Sequence, residues 1–277
     1  MGLPSLDKIW KNGQPTKARI YVLEIRPKEN PTGDPIAWLL VERQEVQEMD
    51  DRHGTLYDAS IRLSYERILP KCSNLMPGKG CFSGGYWRGF EGQSMVSVTS
   101  ASTSGGAVFL DLPGLEGQRI GTYLMNEIVR WVQQWPEARV RSVELMVGQA
   151  YPKNKARRNR FYEQFGLVFD FRDTEQKEGL SRPMLAGALV PVETWGENIR
   201  ERDVREFFGE VLLTCERLTL EASRLKYANK NLSTQIERAV AHPIRWAFRR
   251  LWLEFTSCFT WTALLLFLAA VAWLRLK

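Results

Sequence analysis

Residues 112–132 read LPGLEGQRIGTYLMNEIVRWV and residues 159–171 read NRFYEQFGLVFDF. Ahead of the first stretch, Ala107–Leu112 has the apolar content of a strand. The polar turn Gly117-Gln118-Arg119-Ile120-Gly121 follows, and Leu124, Ile128, Val129, Trp131 and Val132 then recur at helical spacing across Thr122–Trp135. Pro136 ends that helix, and Val143–Val147 predicts a buried strand. The second stretch predicts a helix closing near Gly166, then a strand to Phe171. The order is strand, turn, helix, strand, helix, strand. Backbone N–H groups in such a turn point along the helix axis. The helix N-terminus adds partial positive charge, so the turn suits a phosphate or pyrophosphate. A turn that is merely structural stands beside that reading, because glycine turns are common.

Several chemistries fit poorly. The turn lacks the Lys-Ser/Thr pair of a nucleoside-triphosphate loop and the three glycines of a dinucleotide fold. The four cysteines (Cys72, Cys81, Cys215, Cys258) lie far apart without zinc spacing, and His53 and His242 are the two histidines. No metal site is expected, and reduced thiols are. The 277 residues allow one domain of about 150–200 residues plus extensions. A net charge of +6 is moderate. No recognition motif accompanies the basic run Lys153, Lys155, Arg157, Arg158, Arg160, so nucleic acid is not an expected partner. That run suits phosphates or a solvated helix face.

Together the two stretches resemble the GNAT superfamily of acyl-CoA N-acyltransferases. Its strand ends in a proline-containing turn, then a loop Arg/Gln-x-x-Gly-x-Gly/Ala and a helix opening Ser/Thr-x-Leu-Leu. This chain has Pro113, Glu116-Gly117-Gln118-Arg119-Ile120-Gly121 and Thr122-Tyr123-Leu124-Met125 without a gap. Glu116 replaces the first Arg or Gln, and Arg119 the middle glycine. The family's second motif, Tyr-Glu-x-x-Gly-Phe, is matched by Tyr162-Glu163-Gln164-Phe165-Gly166-Leu167. The family's Asn and Ala ahead of that tyrosine are Lys155 and Arg158 here.

The resemblance implies a mixed α/β fold, a central mixed sheet flanked by helices, and acetyl-CoA as co-substrate. It implies cofactor contacts at Leu112, Gln118, Arg119, Ile120, Gly121 and Thr122, with Arg158 of the basic run on a phosphate. The splayed strands Val108–Leu112 and Val143–Val147 would grip the pantetheine, and Tyr162 would protonate the departing thiolate. The acceptor amine, on a protein or a small molecule, must lose a proton. Asp111 and Glu144, at the ends of the two strands, are the candidate bases, or else solvated strand-end residues.

Ahead of this core, Ala18–Glu24, Ala37–Glu42 and Met95–Thr99 predict strands, and Asp58–Ile68 fits either strand or helix. Gly78–Gly92 predicts a glycine-rich loop. The two helices the family places after its first strand are not evident.

The C-terminal third differs. From Val204 to Ala239, core residues alternate spacings of four and three, with Leu218, Leu225 and Leu232 at d and Asn229 at a. That pattern predicts a parallel two-stranded coiled coil, and so a homodimer; packing of the stripe on the domain is the alternative. Phe255–Leu274 carries no charge. As a helix it reaches about 30 Å, the hydrocarbon thickness of a bilayer. Arg238, Arg245, Arg249 and Arg250 precede it, which predicts a single pass with the catalytic domain on the cytoplasmic side. The expected organisation is an acyltransferase-like domain over 1–192 (motif core 107–171), a linker over 193–203 and a stalk over 204–240. A basic segment over 241–254 and a span over 255–274 complete it.

Overall fold

The computed structural model describes residues 4–6, 10–11, 14–15, 19–50, 54–69, 78–89, 92–102, 106, 108, 110, 112–152, 154–252 and 255. The chain divides into two units, residues 1–208 and 209–277.

In the first unit a 3-10 turn (Pro4–Leu6) and a ribbon of β1 (Trp10–Lys11) against β2 (Gln14–Pro15) precede a meander. Its strands β3 (Ile20–Ile25), β4 (Ala37–Met49), β5 (Leu56–Arg67) and β6 (Lys79–Arg88) pair antiparallel in sequence order. Alternation makes β5 a strand: Ala59, Ile61, Leu63 and Tyr65 are buried, while Arg62 and Glu66 on the other face are exposed. Residues 26–36 join β3 to β4 by turns rather than by two helices.

β6 corrects the loop expected over Gly78–Gly92. Its glycines answer a packing need. A Cβ on Gly84 would fall 2.7 Å from Ile128 Cγ2, so its absence lets a helix lie close on the sheet. That helix, α1 (Ile120–Val132), packs on β5 and β6 with all five residues of its predicted stripe buried. It ends three residues before the expected Trp135, whose ring stacks on Tyr86 at 4.3 Å.

β7 (Ser94–Ser97) pairs antiparallel with β6, and β8 (Arg139–Val140), reached through α1, runs parallel to β7. β9 (Glu144–Leu145) follows, then a 3-10 turn (Val147–Gln149) and α2 (Lys155–Glu163). After them come β10 (Phe169–Phe171), β11 (Gly179–Ser181), β12 (Met184–Leu185) and β13 (Ile199–Arg202). The large sheet has the order β12-β8-β7-β6-β5-β4-β3-β13, and a small one the order β10-β11-β9. Between Val140 and Glu144 the chain therefore leaves one sheet for the other. The fold is mixed α+β, with a large mixed sheet and helices.

Three expectations change. The strand expected over Val143–Val147 shortens to Glu144–Leu145, because the 3-10 turn takes its end. Of the strand expected over 107–112, Val108, Leu110 and Leu112 are not in strand, and Ala107, Phe109 and Asp111 lie outside the described residues. Residues 193–203 are no linker: a 3-10 turn (Thr194–Glu197) leads into β13, which pairs with β3 and buries Ile199.

α3 (Val204–Ala241) is one unbroken helix of 38 residues. Asp203 caps it, its Oδ1 accepting from the Arg205 and Glu206 amides at 2.8 and 3.3 Å. In the second unit the seam residues Val211, Leu218, Leu225, Leu232 and Ile236 are exposed. The helix breaks at His242, and residues 243–252 are helical again. The span expected over 255–274 lies, apart from Phe255, outside the described residues. Among the described residues no helix is long and apolar enough to cross a membrane.

Candidate anion-binding cavity

The turn into α1 is built from three left-handed residues. Gly114 and Gly117 have φ of 78° and 81°, and Arg119, the N-cap, has 63°. The Leu115 amide donates to Leu112 O at 3.0 Å and the Gln118 amide to Leu115 O at 3.3 Å, while the buried Leu112 and Leu115 anchor the turn in the core. The first intrahelical bond runs from the Tyr123 amide to Arg119 O at 2.9 Å. The amides of Arg119, Ile120, Gly121 and Thr122 therefore come before any helical partner, and no side chain caps the helix. Gln118, expected to offer its amide, spends it inside the turn.

α2 forms the opposite wall. It closes on Gly166, at φ 87°, with the Gly166 amide on Glu163 O, a turn that sends Phe165 and Leu167 into the core. That packing sets Tyr162 between Phe161 and Phe169, ring centroids 5.0 and 6.0 Å away. Tyr162 is 6 % exposed and lines the cavity, and no side chain or carbonyl of the described residues accepts from its hydroxyl. Burial pushes the phenol up to about 12, against a smaller downward pull from Arg158.

A cavity of about 520 Å³ lies between these walls. Leu112 and the residues from Gln118 to Thr122 line one side; Arg158 and Tyr162 line the other. Eight of the ten residues singled out by sequence thus meet at one place. Glu144 does not line it: on β9 its neighbours Val143 and Leu145 point inward, so Glu144 points outward, 3.7 Å from Arg172. Asp111 lies outside the described residues.

The charge of the lining is lopsided. Lys28, Arg119, Arg157, Arg158 and Arg160 contribute cations, and Glu116 a carboxylate. Three of these cations are already engaged, Arg157 by one bond, from Nη2 to Asn154 Oδ1 at 3.0 Å. Arg119 Nη1 donates to Thr194 O and to Glu197 Oε2, each at 2.6 Å, so it does not offset Glu116 as a free charge. Arg158, 7 % exposed, donates to Met146 O at 2.8 Å, Lys177 O at 2.9 Å and Asn159 Oδ1 at 2.9 and 3.1 Å. Desolvation lowers its pKa. It ties α2 to the loops around it and, among the described residues, pairs with no carboxylate. Arg157 and Arg160 are exposed at the rim.

Of the basic run, Arg157, Arg158 and Arg160 line the cavity. Lys155 turns away to Glu175 O at 2.8 Å, and Lys153 lies outside the described residues. Lys28, Phe82 and Thr194 were missed; each arrives from a distant segment and carries no local signal. Gly121 opens directly on the cavity, where an added Cβ would stand 3.4 Å from Phe161 Cε2.

No family model, curated protein or solved structure matches this chain.

Proposed function

We propose that the chain is a GNAT-type N-acetyltransferase that moves an acetyl group from acetyl-CoA to an amine on a protein or small molecule. The observation that carries this reading is the cavity shared by the α1 turn and Tyr162. Free amides at a helix N-terminus beside a cationic rim suit a pyrophosphate and a further phosphate. The parallel β7–β8 pair, with the chain passing to a second sheet before β9, supports the same reading.

In this reaction the amine nitrogen attacks the thioester carbonyl carbon and a C–N bond forms; the carbon–sulfur bond breaks to release coenzyme A as its thiolate, and the amine proton passes to water. A phenol near 12 gives up its proton to a thiolate, whose conjugate acid is near 8.5, only at a cost of roughly 5 kcal/mol. Tyr162 then acts by donating a hydrogen bond to the sulfur as charge develops there.

Residues 204–239 pair two copies in parallel, and residues 255–274 anchor them in a bilayer with the catalytic domain on the cytoplasmic side. The exposed, unbroken seam on α3 supports the pairing.

A second reading, a silent scaffold that binds coenzyme A, is favoured by the carboxylates: Glu144 is outside the cavity, and Glu116 sits beside the anion turn. Incubating the full chain with acetyl-CoA and a panel of amines, and following free thiol and acetylated amine by mass spectrometry, separates the two. Product formation supports the enzyme. Binding without product supports the scaffold.

A further inference from the structure

Left-handed backbone at Arg119 is expensive for a residue with a side chain, and a glycine would adopt it freely. The structure holds that conformation from outside the helix. The guanidinium is fixed by Thr194 O and Glu197 Oε2, which belong to the 3-10 turn before β13. The neighbouring Gln118 is pinned as well. Its carbonyl accepts from Asn198 Nδ2 at 3.2 Å, and its side-chain oxygen accepts from the Lys28 amide at 2.8 Å. Asn198 is 1 % exposed and also donates to Arg26 O at 3.1 Å, so the turn is held between two fixed segments.

We propose that Arg119 is the positioning residue of the anion site, with Glu197 as its clamp: together they hold the N-cap backbone so that the amides of residues 119–122 converge on the ligand. The proposal rests on the acetyl-CoA reading of the cavity. In it the guanidinium does not touch the ligand. The arginine instead gives the turn a tether to the 194–198 segment that a glycine would lack.

The test uses the full chain with Arg119→Ala, Arg119→Gly and Glu197→Gln. Acetyl-CoA affinity is measured by calorimetry, and hydrogen exchange of the Tyr123 amide is measured without ligand. Arg119→Ala keeps the strain and loses the clamp, so affinity should fall about tenfold. Glu197→Gln should weaken binding similarly. Arg119→Gly loses the clamp but also the strain, so affinity should fall less than in Arg119→Ala, by about threefold. Tyr123 exchange should follow the same order. Equal loss in Arg119→Gly and Arg119→Ala, or parental values in all three, would overturn the proposal. If the parent protein binds no acetyl-CoA, the reading of the cavity fails, and the exchange order alone decides the clamp.

Discussion

Arg158 and Tyr162 stand one helical turn apart on α2, both nearly buried and both lining one cavity, with the cation engaged by carbonyls and the phenol by nothing described. The hydroxyl is not among the sealed, unpartnered polar atoms of the described residues, and Tyr162 lines the cavity. Its placement on a cavity wall rather than in the core is what makes it a candidate for ligand contact.

Replacing that hydroxyl should separate binding from turnover. Tyr162→Phe keeps the ring between Phe161 and Phe169 and removes the donor. Turnover should fall by about 10²-fold, the range for losing one preorganised hydrogen-bond donor, while acetyl-CoA affinity is kept. Steady-state kinetics beside calorimetry reads both quantities, and unchanged turnover would return Tyr162 to a packing role.

The same phenol sets an alkaline limit on stability. Its folded value near 12 lies above the ordinary value of 10, so the folded state holds the proton more tightly. Stability is full below pH 10 and declines as pH rises toward 12, by about 3 kcal/mol from this group. Tyr21 and Tyr123, also raised chiefly by burial, add to the decline from pH 10 upward and carry it beyond pH 12. Urea unfolding between pH 9 and 12 should show a shallower decline in Tyr162→Phe.

Helix α1 depends on a gap in β6. Gly84→Val would place methyl groups where Ile128 already lies, lifting the helix from the sheet. The expected loss is about 1–3 kcal/mol, typical of overpacking, read by denaturant unfolding. A parental midpoint would show that the helix can shift without cost.

Much of this was legible where the signal is local. The apolar stripe of α1 repeats at 3.6 residues, and both motif turns are contiguous in sequence. β5 alternates at period two, yet sequence alone leaves Asp58–Ile68 open between strand and helix. In β6, Gly80, Gly84 and Gly85 resemble loop punctuation, whereas the demand that places Gly84 comes from a helix some forty residues later. Glu144 was chosen by its place at a strand end. Its parity with Val143 and Leu145, both apolar, already pointed it away from the core. Thr194 and Lys28 reach the cavity only through tertiary structure.

Cys215 falls at an a position of the heptad seam and is exposed on α3. In a parallel, in-register pair the two copies of Cys215 face each other. A variant retaining only this cysteine (Cys72→Ser, Cys81→Ser, Cys258→Ser) should give a covalent dimer on mild oxidation, seen by non-reducing gel. Antiparallel or absent pairing would leave it monomeric. Asn229→Leu should strengthen association and broaden it toward higher oligomers.

The most direct test of the central claim is titration of the full chain with acetyl-CoA, beside Gly121→Asp. A carboxylate there would sit among the turn amides and against Phe161, repelling a pyrophosphate while leaving the fold intact. The parent protein should bind saturably and Gly121→Asp not at all, at equal unfolding temperature. No binding by the parent at millimolar acetyl-CoA, or equal binding by both, would contradict it.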